Sequence, residues 1–432
     1  MDIIIKNKKN ILLFILLFVI TFIFSYMFIP VWPDQVWSYG FSYNISKGMI
    51  IYRDFNVIQM PLYFLLASIF IKIFGSYMII SHMFDSLLLS VIGLILFKLL
   101  KWKGIFPFIM ICILTVSSYN LLCLNLLIII IYLIHTKRDN DYIIALLIGL
   151  ILITKQNIGI MLFIPMIYYS KNKIKSIILF IIPFILLCLY LLINNALFSF
   201  IDYCFLGLFE FSGNNEIDYI ILFIEFICIG YLIYKLFKCK FKDKELFYIL
   251  MFQIVLYPLI DLKHFVVGFI PIFYYLLLNN KKRIINIIVC IFVLLYLLIT
   301  FIFNFNRIDI HTKKDMFYLK SPSKVINYLE NIHDLYPDDI NNYYFDSEKS
   351  YLFKLYYDIP IKYYDFYLNG NMGYYSKKDI KKSFIKYCKK NRCIFFINKD
   401  SNNIQFSEFR KIIKSNYKKI GEYEELDIYS SK

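Results

Sequence analysis

Long apolar runs separated by short polar loops dominate the chain up to residue 303. Helices that cross a bilayer need roughly 20 apolar residues, so this pattern predicts a bundle of membrane-spanning helices. We place apolar segments at residues 11–30, 60–76, 77–97, 105–119, 121–135, 141–154, 158–171, 176–194, 217–237, 246–260, 264–279 and 284–303. No small-residue cleavage site follows the first segment, which favours a retained helix over a removed signal peptide.

Lysine and arginine are concentrated in short clusters between these segments, and such clusters favour the cytoplasmic side. If every segment crossed, the cluster at 98–103 and each later cluster would face outward. If the segment 60–76 enters the membrane without crossing, all clusters face inward at once. We therefore predict about 11 transmembrane helices in the cytoplasmic (inner) membrane, a cytoplasmic N-terminus and an extracytoplasmic C-terminal part. The outer side then holds the first loop 31–59, the turns 154–157 and 261–265, and the loop 195–216.

The composition agrees with a membrane protein and excludes other classes. A hydrophobic content of 60% and a mean hydropathy of +0.63 exclude a soluble globular domain of 432 residues. The net charge of +16 comes largely from the basic clusters between segments, so we expect membrane lipids as the surroundings and no nucleic acid as a partner.

The last part of the chain, 304–432, is polar and rich in Tyr and Lys, unlike the transmembrane module 1–303. Its helix-like stretches are 321–333 and 376–390, and its strand-like stretches are 342–347, 393–398 and 419–430. We therefore predict an all-α polytopic membrane protein that carries a small extracytoplasmic α/β domain. In that domain Cys388 and Cys393 form either a disulfide or two free thiols.

The most polar stretch near the membrane follows the first segment. Asp34 lies just past its end and is flanked by Trp32 and Trp37, which suit the membrane interface. A partly desolvated carboxylate at this depth has a raised pKa and suits a general base acting on a hydroxyl. Because Asp34 follows Pro33 and the helix-like run stops at Gly48, an N-cap role is the alternative, and the two roles are compatible.

Five short motifs follow one another in this region: Asp34-Gln35, Gly48, Tyr52-Arg53-Asp54, Pro61-Leu62-Tyr63 and Phe74-Gly75. In order and spacing they resemble the first outer loop of the GT-C membrane glycosyltransferases, in particular the bacterial protein mannosyltransferase-like, aminoarabinose transferase-like and lipopolysaccharide sugar transferase-like branch. "ITKQNIG" (153–159) and "DLKHFVVGFIP" (261–271) extend the resemblance more loosely.

The resemblance implies a GT-C-like fold and a sugar transferase that uses a polyprenyl-phosphate-linked donor, with Asp34 as the catalytic base. Gln35 departs from the family, which often has Glu there. The second acid of relatives falls near 117–125, where this sequence has no carboxylate. No cofactor is therefore certain, and a divalent metal is possible.

Outward-facing polar residues are the candidates for binding the donor's phosphate and sugar: Lys155, Gln156, Lys263, His264, Arg53 and Asp54. Lys155 could equally belong to an ordinary polar turn, and Arg53 and Asp54 could pair with each other and fix the loop. Gln59 and Tyr63 are expected to line the same cavity.

Three acids could supply a second carboxylate: Asp202, Glu210 and Asp85. Asp85, with His82 one turn before it, could instead make a helix-to-helix hydrogen bond. Glu225, inside another segment, is expected to pair with a polar neighbour.

These residues predict inverting transfer of a sugar to a lipid, glycan or protein acceptor at the outer face of the membrane. A transporter or flippase of a lipid-linked saccharide is the alternative. It would share the span count but should show two related halves with broken helices, and no such internal repeat is visible.

Overall fold

The computed structural model describes residues 2–28, 33–114, 119–138, 140–207, 217–257, 260–279, 330–331, 333–335, 343–345, 373–399, 407–423 and 426–431. Apolar helices make up nearly all of the described chain before residue 280. They are α1 (Asp2–Phe28), α2 (Pro33–Ser46), α3 (Leu62–Phe74), α4 (Met78–Leu100), α5 (Ile105–Leu114), α6 (Tyr119–His135), α7 (Asp141–Leu152), α8 (Gln156–Tyr169), α9 (Lys173–Ile193), α10 (Leu197–Ile201), α11 (Tyr219–Lys238), α12 (Lys244–Phe252) and α13 (Leu262–Asn279).

Several of these helices have the length and apolar character of membrane spans. Within the described residues, four helical stretches qualify on both counts: Ile79–Cys112, Lys173–Ile193, Tyr219–Lys238 and Leu262–Asn279. The first includes a 3₁₀ turn at Lys101–Gly104, and Phe108 then packs on Phe97, so that α5 folds back along α4. The chain is thus a polytopic membrane protein. The predicted segment 284–303 lies outside the described residues.

Helix α3 agrees with a segment that enters the membrane without crossing it. It has 13 residues, which span about 20 Å at 1.5 Å per residue, whereas the hydrocarbon core is about 30 Å thick. Gly75, with φ of +107°, ends the helix and turns the chain toward α4. The exact number of crossings and the side that each loop faces stay predictions.

The short helix predicted after the first segment is present as α2. It ends before Gly48, whose φ of +87° is a left-handed conformation that favours glycine. Every residue of α2 from Ser38 to Asn44 is buried, including the rings of Tyr39, Phe41 and Tyr43. The ring of Phe41 meets Phe64 of α3 edge-on at a centroid distance of 5.4 Å. This packing fixes the first outer loop to the start of α3.

Buried polar groups join the helices inside the bundle. Ser25 of α1 hydrogen bonds to Nδ1 of His82 in α4 at 2.8 Å, and the Tyr63 hydroxyl of α3 donates to Oδ1 of Asp85 at 2.8 Å. Such bonds stabilise helix association in lipid, where water is absent.

The expectation that Glu225 pairs with a polar neighbour is wrong for the described part of the chain. Glu225 on α11 is 4% exposed, and neither of its carboxylate oxygens has a hydrogen-bond partner there. The sequence shows that Glu225 lies in an apolar segment, but it does not show which side chains other segments bring to it.

The described C-terminal residues form a small mixed α/β unit. Its elements are β1 (Tyr343–Phe345), α14 (Ser376–Lys390), β2 (Ile394–Asn398), α15 (Ser407–Asn416), β3 (Lys418–Tyr423) and β4 (Leu426–Ser430). The strand order is β1-β2-β4-β3, with β1 parallel to β2 and the other pairs antiparallel. The predicted helix at 376–390 and the three predicted strand regions are therefore present, while most of 321–333 lies outside the described residues.

Aromatic side chains from both layers build the core of this unit. Tyr344 stacks on Phe395 at 5.8 Å and meets Phe384 of α14 edge-on. Cys388 and Cys393 are free, buried thiols beside this core, the second of the two alternatives. The domain boundary at 303/304 lies outside the described residues and stays a prediction.

Candidate active site

The first outer loop makes a tight turn that presents Arg53 to solvent. Ile51 and Phe55 form an isolated bridge, and Tyr52 between them is fully buried with a φ of +70°. For a non-glycine residue this conformation costs on the order of 1–3 kcal/mol and persists only where packing enforces it. Here the Tyr52 hydroxyl donates to the Gln59 carbonyl at 2.7 Å, which closes the loop on itself.

Arg53 and Asp54 pair with each other. Arg53 donates through Nε and Nη2 to the two carboxylate oxygens of Asp54, at 2.8 and 3.0 Å. The Ile50 N–H also donates to Asp54, at 2.7 Å. Burial disfavours ionisation of Asp54, but these hydrogen bonds outweigh it and hold the pKa of the carboxyl below its usual value. The pair fixes the turn, and a further role in binding sugar stays a prediction.

Lys155 lies in the turn between α7 and α8, and only 8% of it is exposed. Its ammonium donates to Asn120 Oδ1 at 3.1 Å and to the Val255 carbonyl at 3.0 Å, and lies 5.7 Å from the Tyr119 ring. These hydrogen-bond partners are neutral. Burial therefore lowers the pKa of Lys155 to about 8.

A second polar turn lies beside Lys155. Asp261 Oδ1 accepts from the His264 backbone N–H at 2.8 Å and lies 2.9 Å from Nδ1 of the same histidine. Burial opposes ionisation of Asp261, but the His264 hydrogen bonds prevail and keep the pKa of the carboxyl low. The charge of Asp261 in turn partly offsets the lowered pKa of Lys155. We call Lys155, Asn120, Asp261 and His264 the Lys155 centre.

The structure thus brings together two of the predicted turns, 154–157 and 261–265. Lys263 lies in the second turn, and its charge helps to keep Asp261 ionised. Gln156 donates from Nε2 to the Cys204 carbonyl at 2.9 Å, so its amide faces the segment 197–206.

The first outer loop adjoins the same centre. The Leu62 N–H, at the start of α3, donates to the Ile153 carbonyl at 3.1 Å. Cys204 contacts the Gln59 carbonyl through its thiol at 3.5 Å. In the Gln59 side chain, Oε1 is buried and has no hydrogen-bond partner among the described residues. An unsatisfied buried acceptor costs about 1–3 kcal/mol and suits a ligand hydroxyl.

The remaining predicted acids have separate positions. Asp34 lies in the first turn of α2, but its side chain is outside the described residues, as is Glu210. Asp85 lies inside the bundle and accepts a hydrogen bond from the Tyr63 hydroxyl, so the Tyr63 side chain faces α4. Asp202 accepts a hydrogen bond from the Tyr375 backbone N–H at 2.8 Å. Their catalytic assignments stay predictions.

Sequence reasoning missed two members of the Lys155 centre. Asn120 lies in the stretch 117–125, which has no carboxylate, although an amide within an apolar segment is itself a signal. Asp261 precedes His264 by three residues, the spacing of a helix N-cap and the N–H that it accepts.

The described residues show no candidate metal site. Among them, no group of three or more His, Cys, Asp or Glu side chains is arranged to hold a metal ion.

The fold and this site define a polytopic membrane protein in which the first outer loop and two polar interhelical turns meet at one end of a helix bundle. Sequence comparison adds nothing to this class, since no family profile and no curated protein matches the chain. Among solved structures, the crystal structure of ArnT from Cupriavidus metallidurans in the apo state is similar, with a TM-score of 0.55, 9% identity, and coverage of 99% of this chain and 98% of that chain. This likeness shows that the two chains share a fold over nearly their whole length.

Proposed function

We propose that the protein is a membrane glycosyltransferase that moves a sugar from a polyprenyl-phosphate-linked donor to an acceptor hydroxyl at the outer face of the cytoplasmic membrane. ArnT is an aminoarabinose transferase of the GT-C class, and its fold matches nearly the whole of this chain. The shared fold supports a glycosyltransferase activity. Fold likeness alone does not identify a reaction, so the proposal depends on the site.

The Lys155 ammonium is the observation that carries the proposal. It is buried, it is hydrogen bonded to two neutral oxygens, and it lies next to the first outer loop. An ammonium has three donors and two of them have partners among the described residues, so we assign the third to an incoming anion. A phosphate bound there gains more than it would in water, because the site is largely shielded from solvent.

His264 and Lys263 extend this positive site. Hydrogen bonding to Asp261 orients the His264 ring through Nδ1, which leaves Nε2 for a ligand. Lys263 is the second residue of the same helix and adds a second ammonium. We assign Lys155, Lys263 and His264 to the donor phosphate, and Gln59 and Gln156 to sugar hydroxyls.

In the proposed reaction the acceptor oxygen attacks the anomeric carbon as the bond from that carbon to the phosphate oxygen breaks. The configuration inverts, the acceptor proton passes to the Asp34 carboxylate, and the electron pair leaves with polyprenyl phosphate. The nearby cations stabilise the charge of the leaving group. The acceptor is a lipid, glycan or protein that carries a hydroxyl.

Release of polyprenyl phosphate tests the proposal directly. Purified protein is incubated with polyprenyl-phosphate sugars and candidate acceptors, and free polyprenyl phosphate is quantified together with the glycosylated product. A flippase moves the lipid-linked saccharide without releasing the phosphate carrier. Absence of release with every donor, by protein that is folded, would reject the transferase and favour that alternative.

A further inference from the structure

A short helix links the C-terminal domain to the proposed site. We call residues 197–206 the bridge helix; it consists of α10 and a π-helical turn at Asp202–Leu206. We call Gly373–Tyr375, just before α14, the docking segment. A π-helical turn inserts an extra residue into a helix and frequently marks a functional site.

The docking segment contacts the bridge helix at Asp202. This carboxylate is 1% exposed and accepts from the Tyr375 backbone N–H at 2.8 Å. One turn earlier, Phe198 packs on the Tyr375 ring at a centroid distance of 6.1 Å. A buried charge that is hydrogen bonded to a segment 173 residues away fixes the relative position of both.

The close approach requires glycine at 373. A Cβ at this position would lie 2.1 Å from Asp202 Oδ2 and 2.7 Å from Cδ1 of Tyr203, far inside van der Waals contact. Gly373 is therefore a sensitive point of the interface, because a methyl group there requires the Asp202 carboxylate and the Tyr203 ring to shift.

The opposite side of the bridge helix contacts both walls of the proposed site. The Cys204 carbonyl accepts from Gln156, in the Lys155 turn, at 2.9 Å. The Cys204 thiol contacts the Gln59 carbonyl, in the first outer loop, at 3.5 Å. The Phe200 ring lies 5.1 Å from the Tyr52 ring in the same loop. A displacement of the bridge helix therefore moves the two glutamines assigned to the sugar.

We propose that the C-terminal domain positions the sugar-binding walls through this contact, with Asp202 and Gly373 as positioning residues. The inference depends on the proposed function for its kinetic consequence, but the mechanical linkage can be measured without any substrate. In this proposal the C-terminal domain stabilises the geometry of the donor site. Asp202 then acts as a structural contact to that domain and not as a base.

Hydrogen exchange tests the linkage in the full-length protein. We expect Gly373→Ala to raise amide exchange at least tenfold in the bridge helix and also in residues 50–60 and 153–157. Gly230→Ala is the matched control, since a Cβ at Gly230 on α11 meets nothing within 4 Å, and it should leave all three regions unchanged. Faster exchange confined to residues near 373, or no change anywhere, would overturn the proposal.

Asp202→Asn provides a second, milder variant in case Gly373→Ala fails to fold. Its amide oxygen still accepts from Tyr375, so it should change exchange less than Asp202→Ala does; equal effects would contradict the hydrogen-bonded contact.

Kinetics add an independent readout. Gly373→Ala should raise the KM for the donor about tenfold with a smaller change in kcat, because binding geometry is disturbed and the base is not. A loss in kcat alone would overturn the positioning role. If wild-type protein transfers no sugar, the proposed function fails while the exchange result still decides the linkage.

Discussion

Substitution of Lys155 by Met tests the proposed phosphate contact, because Met keeps most of the side-chain volume and removes the charge. A hydrogen bond to a charged group contributes about 1.5–3 kcal/mol. Two unit charges about 4 Å apart at an effective dielectric constant of about 20 interact by about 4 kcal/mol. We take ~2–4 kcal/mol for the loss of leaving-group stabilisation, which corresponds to a fall in kcat/KM of roughly 30- to 1,000-fold.

The same substitution also removes two contacts within the protein. Loss of the hydrogen bonds to Asn120 and Val255 costs about 1.5–3 kcal/mol each, but removal of a buried charge offsets much of this cost. We therefore expect the thermal unfolding temperature in detergent to change little compared with the catalytic effect.

The assay is release of polyprenyl phosphate per folded molecule, with product inhibition by added polyprenyl phosphate as a second measurement. Lys155→Met should weaken that inhibition by the same factor and leave the acceptor KM unchanged. Lys47→Met, an exposed lysine over the Tyr43 ring, is the matched control. Full activity and unchanged product inhibition in folded Lys155→Met would refute the role that we assign to this ammonium.

Three further predictions concern other parts of the site. Asp34→Asn should lower transfer to background in protein that still folds, and measurable turnover by this variant would remove Asp34 as the base. Because burial lowers the pKa of Lys155 to about 8, kcat/KM should decline as the pH rises through about 8; Lys155→Arg, which stays charged, should abolish that decline if it folds, and an unchanged profile would argue against it. Asp54→Asn should destabilise the protein by about 1 kcal/mol, since it weakens the Arg53 pair and the bond from Ile50. A loss of activity without a loss of stability would favour the sugar-binding role of Asp54 instead.

Much of the membrane fold is predictable because it follows from local patterns. The position of α9 follows from an unbroken apolar run, and α2 follows from Pro33 at its start and Gly48 after its end. Strands β2 and β4 follow from composition, since both are short runs rich in β-branched and aromatic residues. The short length of α3 also agrees with charge clusters that require a segment which does not cross.

The sequence does not predict which side chains from distant parts of the chain contact one another. That Arg53 pairs with its neighbour Asp54 could be foreseen as one of two alternatives, because the residues are adjacent. That Glu225 is buried without a hydrogen-bond partner among the described residues could not, since burial depends on contacts with distant segments. The same holds for the contact between Asp202 and the docking segment, which joins positions far apart in the chain.

The sequence by itself determined that this is a helical membrane protein with a polar first loop, lysines in short polar turns and a small α/β region near its end, because each of these properties depends on composition and periodicity over a few turns. Only the tertiary structure decided that Lys155 is buried on Asn120 and Val255, that Asp261 orients His264 beside it, and that the C-terminal unit reaches the same site through Asp202. The physical reason is that burial and hydrogen-bond partners depend on how distant segments pack together, and a linear pattern of residues does not specify that packing.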